Sequence, residues 1–386
     1  KNGVPSGTLD ISGNARLTNA NTFRVGSKRD TQPDPAEENF EGWLDEIRIF
    51  SGLLTEDQIQ RMVYQEIEDN AGVVTGSIIS KSIVDMTTSA TIPWANLVTY
   101  YNMSNVTAGK IVDKSPNTRD AQLYNITTLL PQTAPMPYET VADGTWNNEN
   151  TWLHGDVWDI EDLVNNKDWS IVNIKNDVTT NASHKNLGLI IDNGGSLTVS
   201  GDNSVTNSWY LQLDGTLDLQ DDSQLIQEIN SDLVTSATGK IIRRQEGNLN
   251  LYWYNYWSSP VGQQAVTNNT NTDFSIDMLK DGSQFIQFTS DLSPNPTTTN
   301  PVTISNQWLY KFQNGVTYYA WERLTESSSI EPGVGYTQKG SSVLDGEKQD
   351  TFEGKPNNGT ILLSAVDTGG PGNVEDVSLT TYLVGN

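Results

Sequence analysis

Residues 192–199, DNGGSLTV, recur as DGTLDL at residues 214–219. Pairs of apolar residues around this repeat keep a spacing of 20 positions: Leu197 and Leu217, Val199 and Leu219, and Val205 and Leu225. A unit of short strands that turns at Gly or Asn and recurs at such a period predicts a β-solenoid. In that fold each coil buries its alternating apolar residues against the next coil.

The repeat extends in both directions along the chain. Residues 174–187 fit an earlier copy, and Gly239–Ile242 fits a later one. About four coils are therefore predicted, close to the smallest number at which stacked repeats are stable. A folded sheet of antiparallel hairpins is the alternative, because its strands show the same alternation of apolar and polar residues.

One short helix is predicted at about residues 55–68. Thr55 and Gln58 have the spacing of a capping box, in which each side chain accepts from the backbone of the other. Apolar residues then recur at helical spacing, at Ile59, Met62, Val63 and Ile67. This helix is expected to pack on the sheet formed by the strands before it.

The rest of the chain reads as strands and turns, so the predicted fold class is all-β. Four parts are expected: residues 1–68, an extended linker or partial β unit at 69–138, solenoid-like repeats at 139–248, and a truncated β-sandwich at 249–386. In the last part, residues 308–312 and 316–321 are predicted to form a hairpin around Asn314-Gly315. Prolines 131, 135 and 137 place a boundary near Tyr138.

The composition excludes several classes of function. The 386 residues include 48 acidic and 23 basic side chains, for a net charge of −25, so nucleic acid and anionic lipid are not expected partners. The 11 Trp and 14 Tyr favour thin β-layers over disorder. The absence of Cys excludes disulfides, thiol catalysis and Cys-ligated metals.

The beginning of the sequence resembles a known family. Residues 40–50, FEGWLDEIRIF, followed by Leu54-Thr55 and the helix, resemble the closing segment of laminin-G-like, concanavalin-type jelly rolls. Residues 2–4 and 23–26 are similar to a turn and a strand of the same family, and residues 96–116 to its opening strands. The resemblance implies that residues 1–68 are the C-terminal half of a partial laminin-G-like jelly roll.

A second resemblance covers about residues 140–386. The stretches GTWNNENTW at 144–152, YNYWSSPV at 254–261 and PGVGY at 332–336 resemble segments of large secreted proteins of Bacteroidota. Such proteins are exported by the type 9 secretion system. The resemblance implies a segment of a longer polypeptide, an extracellular location at the cell surface, and contact with the type 9 secretion translocon and associated outer-membrane proteins.

Acidic loops make calcium the expected cofactor, if any is bound, because hard cations prefer carboxylate and carbonyl oxygens. The candidate ligands are Asp30, Asp34 and Glu37, with Glu38 beside them in the same loop. A second acidic set lies at the predicted solenoid turns: Asp202, Asp221 and Asp222.

Tryptophans are the expected carbohydrate-binding residues, because the flat faces of sugars stack on their rings. Trp146 and Trp152 are the candidates, followed by Trp158, Trp169, Trp253 and Trp257. The alternative is that these rings belong to the core, where Trp needs one polar partner.

Catalytic patterns are weak in this sequence. His154 and His184 have no spacing typical of a metal site or a triad, so structural or surface roles are expected. Asp45 and Glu46 are adjacent on a strand and point to opposite faces, whereas glycosidases need two carboxyls in one cleft. Arg243-Arg244, beside Lys240, suggest a lyase base, but the coils are few and the acidic residues lie at turns. We therefore expect no enzyme.

The leading hypothesis is an adhesin or stalk segment of a large secreted bacterial protein, with a role in gliding or attachment. The alternative is a carbohydrate-binding module that contacts surface polysaccharide. A third hypothesis is a polysaccharide-degrading enzyme whose catalytic part lies upstream.

Overall fold

Among the residues that the structure describes, the chain forms short strands and one α-helix, as predicted. A computed structural model describes residues 23–28, 37–104, 106–124, 126, 128–129, 137–155, 168–248, 250–292, 301–313, 318–340, 349–363 and 384–385. Two compact units are formed, Lys1–Met136 and Pro137–Asn386. The division in the sequence falls between residues 136 and 137, next to Tyr138, where the prolines predict a boundary.

The first unit consists of small antiparallel sheets. Its described strands are β1 (Ser27–Lys28), β2 (Glu37–Asn39), β3 (Ile47–Phe50), β4 (Ile67–Asn70), β5 (Val73–Gly76), β6 (Leu97–Tyr101), β7 (Val106–Thr107), β8 (Lys110–Ile111) and β9 (Ala121–Gln122). β1 pairs with β2, β3 with β6, and β4 with β5, while β7, β8 and β9 form a three-stranded sheet.

The helix α1 (Glu56–Val63) begins as the capping box predicts. The amide of Gln58 donates to Thr55 Oγ1 at 3.4 Å, and the amide of Thr55 donates to Gln58 Oε1 at 3.1 Å. The predicted end at residue 68 is wrong, because Tyr64 leaves helical geometry and Ile67 begins β4. Ile67 lies on strand β4, which pairs with β5, and its side chain is buried there. Its helical spacing from Ile59, Met62 and Val63 is therefore a coincidence.

Arg48 on β3 fixes the end of this helix to the sheet. Its guanidinium donates to the carbonyl oxygens of Met62, at 2.5 Å, and Gln65, at 2.7 Å. It also pairs with Glu46, whose carboxylate accepts from the Tyr100 hydroxyl at 3.0 Å. Burial raises the pKa of Glu46, and the nearby Arg48 opposes that rise.

The predicted division between residues 1–68 and 69–138 is wrong. β6 pairs antiparallel with β3, with Ile47 opposite Tyr101 and Ile49 opposite Thr99. Asp113 then accepts the amides of Tyr100 and Arg119. Residues 97–101 therefore complete the sheet of the first segment and do not open a separate unit.

The second unit contains two series of alternating strands. Its described strands are β10 (Tyr138–Glu139), β11 (Gly144–Thr145), β12 (Ile171–Ile174), β13 (Asp177–Thr180), β14 (His184–Ile191), β15 (Ser196–Val199), β16 (Ser204–Leu213), β17 (Thr216–Leu219), β18 (Gln224–Gln227), β19 (Asp232–Thr235), β20 (Lys240–Glu246), β21 (Tyr254–Ser258), β22 (Val261–Gly262), β23 (Thr267–Asn268), β24 (Lys280–Asp281), β25 (Gln284–Phe285), β26 (Gln287–Thr289), β27 (Thr303–Ser305), β28 (Tyr310–Lys311), β29 (Glu322–Arg323), β30 (Gly335–Lys339), β31 (Gln349–Pro356) and β32 (Val384–Gly385). Short 3-10 turns lie at Trp94–Asn96 in the first unit and, in the second, at Glu149–Thr151, Ile276–Met278, Asn306–Trp308 and Tyr318–Ala320.

Strands β10 to β20 form the predicted solenoid-like stack. One sheet runs β10-β12-β14-β16-β18, with β19 also on β16, and the other runs β11-β13-β15-β17-β20. All these neighbours pair in parallel. The hairpin alternative is therefore wrong. The strands β10 and β11 add a coil before the predicted ones, so five levels are stacked among the described residues.

The register of the stack is the predicted one. Leu197 lies opposite Leu217, Val199 opposite Leu219, and Val205 opposite Leu225. One fully buried column comprises Val178, Leu197, Leu217 and Ile241. Each Leu removed from water contributes roughly 1.5–3 kcal/mol, and the columns make this gain available to every coil.

Glycines at the turns allow the coils to approach. A Cβ added at Gly215 would overlap the carbonyl oxygens of Gly195 and Asp192, and one at Gly239 would overlap that of Leu213. These neighbours are backbone atoms and cannot rotate away. The repeated Gly of the sequence is therefore a packing requirement of adjacent coils.

The expected boundary between residues 248 and 249 is not a domain boundary. β31 returns to pair antiparallel with β20, with Ile242 opposite Glu353 and Arg243 opposite Phe352. The apolar core is continuous from the coils to Phe274, Tyr336 and Phe352. Residues 249–386 thus belong to the same compact unit as the solenoid.

Asp350 has a buried carboxyl at the start of β31, opposite Gln245 near the end of β20. Burial raises the pKa of Asp350 to about 7, and the charge of Asp281 adds to that rise. The Gln338 side chain donates to Asp350 at 3.4 Å. The surroundings of Asp350 therefore stabilise the protonated, neutral form of its carboxyl.

We predict that Gly215→Ala lowers the free energy of unfolding of the second unit by about 1–3 kcal/mol, because the added methyl meets the backbone of the preceding coil. Urea unfolding measures this change, and hydrogen exchange of peptides within residues 184–246 shows whether it arises in the coils. Gly52→Ala is the control, because its Cβ would lie 3.7 Å from the Asn96 side chain, an ordinary contact distance. Equal midpoints for the two variants would contradict the packing argument.

We predict that Asp350→Asn stabilises the protein at pH 8 by about 1–3 kcal/mol and leaves its stability at pH 3 unchanged. At about pH 3 and below the carboxyl is protonated in both the folded and the unfolded state. As pH rises towards 7, only the unfolded state ionises, so the wild type loses stability that the Asn variant keeps. Urea midpoints at the two pH values test this, with the exposed Asp291→Asn as control; a gain at pH 3 equal to that at pH 8 is the contrary result.

Candidate functional site

The most distinctive surface among the described residues is the outer side of a four-stranded antiparallel sheet in the second unit. The strand order is β21-β30-β28-β29. Tyr256 lies opposite Thr337, Thr337 opposite Tyr310, and Tyr310 opposite Arg323. Directly opposed residues share a face, so these four side chains form one row across the sheet. Tyr256 and Arg323 are exposed at its two ends, whereas Tyr310 is half-buried and Thr337 is buried between them.

The other side of the sheet is attached to the core. Tyr336 and Gln338 are buried there. The Trp257 ring meets Phe352 edge-on at 6.0 Å, and the Phe274 ring lies 5.9 Å from Tyr336. These contacts fix the sheet to β31, so the outer side is held by the solenoid and its closing strand.

Aromatic rings dominate the outer side. Tyr254 and Tyr256 alternate on β21, with ring centroids 6.3 Å apart. Trp308 reaches the same side from its 3-10 turn and donates from its indole nitrogen to the Leu292 carbonyl oxygen at 2.8 Å. We call the set Tyr254, Tyr256, Trp308, Tyr310 and Lys339 the aromatic face.

Lys339 lies between two of these rings. Its ammonium is 3.7 Å from the centroid of the Trp308 ring and 5.1 Å from that of Tyr254. Both distances are within the range of cation–π attraction, which is worth about 0.5–2 kcal/mol depending on exposure. The Lys339 stem is thereby held at the centre of the aromatic face.

The edge of the face is open to solvent. The Tyr256 side chain is 69% exposed, and Trp253, which precedes β21, is 62% exposed. Large rings held on a sheet at this exposure provide flat apolar surface with polar edges. Such a surface suits the binding of sugar rings or other flat ligands. The five residues of the aromatic face include no pair of carboxyls of the kind that glycosidases use.

The hairpin predicted next to this site is partly wrong. β28 and β29 pair antiparallel, as its two arms require, but residues 318–320 form a 3-10 turn and the second strand begins at Glu322. The predicted tip at Asn314-Gly315 lies outside the described residues. Residues 318–321 have a composition typical of a strand, but they pair with none of the described strands.

Trp146 and Trp152, the glycan candidates of the sequence, are core residues. They are 4% and 3% exposed, with ring centroids 5.2 Å apart in an edge arrangement. Trp152 donates its indole N–H to the Trp146 carbonyl oxygen at 2.7 Å. The Trp146 ring also stacks on His184, with centroids 4.1 Å apart. They cap the first coils and offer no ring to a ligand.

The remaining tryptophan candidates divide among three environments. Trp253 is exposed beside the aromatic face, Trp257 packs against the core, and Trp169 is half-buried. Trp158 lies outside the described residues. Tyr254, Tyr256, Trp308 and Tyr310 were missed as site residues, because alternation marks a strand but does not tell which of its faces is covered.

The calcium candidates of the first acidic loop lie mostly outside the described residues. Asp30 and Asp34 are not described, and Glu37 and Glu38 are placed only as part of strand β2. Within the part of the chain that the structure describes, no three His, Asp or Glu side chains are grouped as metal ligands.

The acidic residues at the solenoid turn bind neighbouring coils. Asp202 accepts the amide of Asp222 at 3.0 Å, and Asp221 accepts that of Gly201 at 2.8 Å. The buried Arg243 donates to Asp222 at 3.2 Å, and Arg244 pairs with Asp218. Each of these carboxylates has a structural partner, and the arginines considered for a lyase hold the last coil.

The two histidines occupy structural or surface positions, whereas the expectation that Asp45 and Glu46 lie on a strand is wrong, because β3 begins at Ile47 and Glu46 has a φ of +50°. His154 is exposed, whereas His184 is buried with its Nε2 2.6 Å from Thr180 Oγ1. Asp45 accepts the amide of Glu46 at 2.9 Å, and Glu46 contacts Arg48 and Tyr100 as described above.

A shallow cavity of about 270 Å³ lies in the first unit between α1 and the Asp85–Asn96 segment. Its carboxylate, Asp85, accepts the amides of Thr87 and Thr88 at 3.0 and 2.6 Å and the Thr88 hydroxyl at 2.7 Å. These bonds hold a turn and leave the cavity without a free reactive group, so it ranks behind the aromatic face.

Comparison with known proteins agrees with the extent of the second unit. Among the described residues, none of the helices has the length and apolar character needed to cross a membrane. No solved structure matches the chain. Residues 138–386, about two thirds of the sequence, match a family described as a domain of unknown function, DUF8693. The chain belongs to this family.

Proposed function

We propose that this chain is a non-catalytic, carbohydrate-binding segment of a bacterial cell-surface adhesin. The aromatic face is its binding surface, and the solenoid is the rigid body that presents it. The observation that carries the proposal is a set of rings on the solvent side of a sheet whose other side is fixed to the core.

Support for a binding role comes from the cost of exposing such rings. Aromatic side chains bury large areas when a fold can cover them. The Tyr256 ring remains 69% exposed, although its sheet neighbours Trp257 and Tyr336 pack inward. The neighbouring rings of Tyr254, Trp308 and Tyr310 are half-buried, and an exposed ring with further apolar surface beside it is typical of a ligand site.

Support for a spacer role comes from the stack of parallel coils. Successive coils are joined by backbone hydrogen bonds and by columns of buried Leu, Ile and Val. A stalk that only holds a distant head remains the second candidate, and it needs no exposed rings. The aromatic face therefore favours binding over a stalk alone.

The cellular setting is part of the proposal and is based on the resemblance to Bacteroidota proteins. We propose export through the type 9 secretion translocon to the cell surface, with outer-membrane proteins as partners and surface polysaccharide as ligand. The acidic net charge of −25 favours solubility, which an exterior protein needs. Attachment or gliding is the activity that such a protein serves.

We predict that Tyr256→Ala weakens glycan binding by about 2- to 12-fold, the equivalent of the 0.5–1.5 kcal/mol expected for one aromatic stacking contact. The full chain is first applied to a glycan array, and the dissociation constant for the best ligand is then measured by calorimetry. Tyr124→Ala is the matched control, because this tyrosine of the first unit is 80% exposed. Absence of binding to any glycan, or equal affinity of Tyr256→Ala and wild type, would refute the proposal.

We predict that deleting the type 9 secretion system from the bacterium that carries this gene abolishes labelling of the protein on intact cells. Antibody labelling of intact and lysed cells separates export from expression. A protein still labelled at the surface of the deletion strain would show that the export route is another one.

A further inference from the structure

Two cationic side chains on the outer side of the aromatic sheet have no carboxylate partner among the described residues. The Lys339 ammonium lies over the Tyr254 and Trp308 rings. Arg323, at the other edge of the sheet, donates to the Gln307 side chain at 2.8 Å. Register places both on the same face, because Arg323 lies opposite Tyr310, Tyr310 opposite Thr337, and Thr337 is two residues from Lys339.

The other described cations of the second unit are engaged. Most form ion pairs with Asp or Glu: Lys175, Lys185, Lys240, Arg243, Arg244, Lys280 and Lys311. Lys355 is buried and donates to the Thr270 carbonyl oxygen. In a chain with 48 acidic and 23 basic residues, carboxylates are abundant. The two cations without one lie together on the surface that carries the exposed rings.

We infer that the aromatic face binds an acidic polysaccharide, with Lys339 and Arg323 as the groups that recognise its anions. This inference rests on the proposed carbohydrate-binding function and names the class of carbohydrate. The rings stack on the apolar faces of the sugars, while the ammonium and guanidinium donate charge-assisted hydrogen bonds to carboxylate or sulfate oxygens.

The geometry of the sheet sets the size of the ligand. Lys339 and Arg323 are two strands and two residues apart, so their backbones are separated by roughly 12 Å. A single sugar does not bridge that distance, so an oligosaccharide or polymer that carries repeated anions is required. The cation–π contacts keep the Lys339 stem in place, so little side-chain entropy remains to be lost when the ligand binds.

Charge recognition should be local, because the protein as a whole repels anions. The net charge of −25 slows the approach of any polyanion and opposes non-specific attachment. Removal of one of these two cations should therefore have a large effect on binding, whereas removal of a lysine elsewhere should have little. Single-stranded nucleic acid also stacks on aromatic rings, and it serves as the competing polyanion in the test.

The experiment compares charged and neutral forms of the same polymer, using the full chain and calorimetry. Polygalacturonate is paired with its methyl ester, and dextran sulfate with dextran; the two pairs distinguish carboxylate from sulfate recognition. Single-stranded oligothymidylate is the third probe. The variants are Lys339→Gln and Arg323→Gln, with Lys110→Gln, an exposed lysine of the first unit, as control. Thermal unfolding of each variant verifies that it is folded.

We expect at least one charged polymer to bind tenfold or more tightly than its neutral partner. Lys339→Gln and Arg323→Gln should each remove most of that difference, while Lys110→Gln keeps it. Equal binding of charged and neutral polymers would overturn the acidic-ligand inference and leave the carbohydrate proposal intact. Binding of oligothymidylate more tightly than either acidic polymer would also overturn it. Failure of all polysaccharides, neutral ones included, would remove the proposed function itself.

Discussion

Parallel stacking of short strands in fixed register is the constraint on which the second unit depends. A shift of one residue would move Leu197, Leu217 and Ile241 from the interior to solvent, so the apolar columns specify the register. The coils approach closely only because glycine occupies positions such as 215 and 239, where a side chain would meet backbone. The last coil then presents an open edge. β31 pairs with that edge and connects the aromatic sheet to the stack.

The residues that stabilise the second unit differ from those of the proposed binding surface. The interior is filled by aliphatic and aromatic side chains, and the charged residues of the coils are used in pairs such as Arg243 with Asp222 and Lys240 with Glu353. In the proposed function, recognition is the task of a sheet whose inner face is fixed to the core and whose outer face carries the exposed Tyr256. Individual rings contribute little free energy, so affinity must arise from several rings and cations acting on a repeating ligand.

The solenoid was predictable because its signal is local and repeated. The 20-residue spacing of Leu197 and Leu217 gave the period and register directly. The first coil was missed because β10 and β11 have two residues each, too few to show alternation. The pairing of β3 with β6 and of β20 with β31 was also missed, since partners far apart in sequence leave no mark in either strand. For the same reason Trp146 and Trp152 were proposed as ligand-binding rings, while Tyr256 and Trp308 were not: burial depends on contacts that the sequence does not display.

The most direct test of the central claim, that the outer side of this sheet is a carbohydrate site, is a crystal structure of the chain with a galacturonate oligosaccharide. We expect sugar rings stacked on Tyr254, Tyr256 or Trp308, with a carboxylate within hydrogen-bond distance of Lys339 Nζ. A sugar bound at another surface, or an aromatic face covered by other parts of the chain, would contradict it.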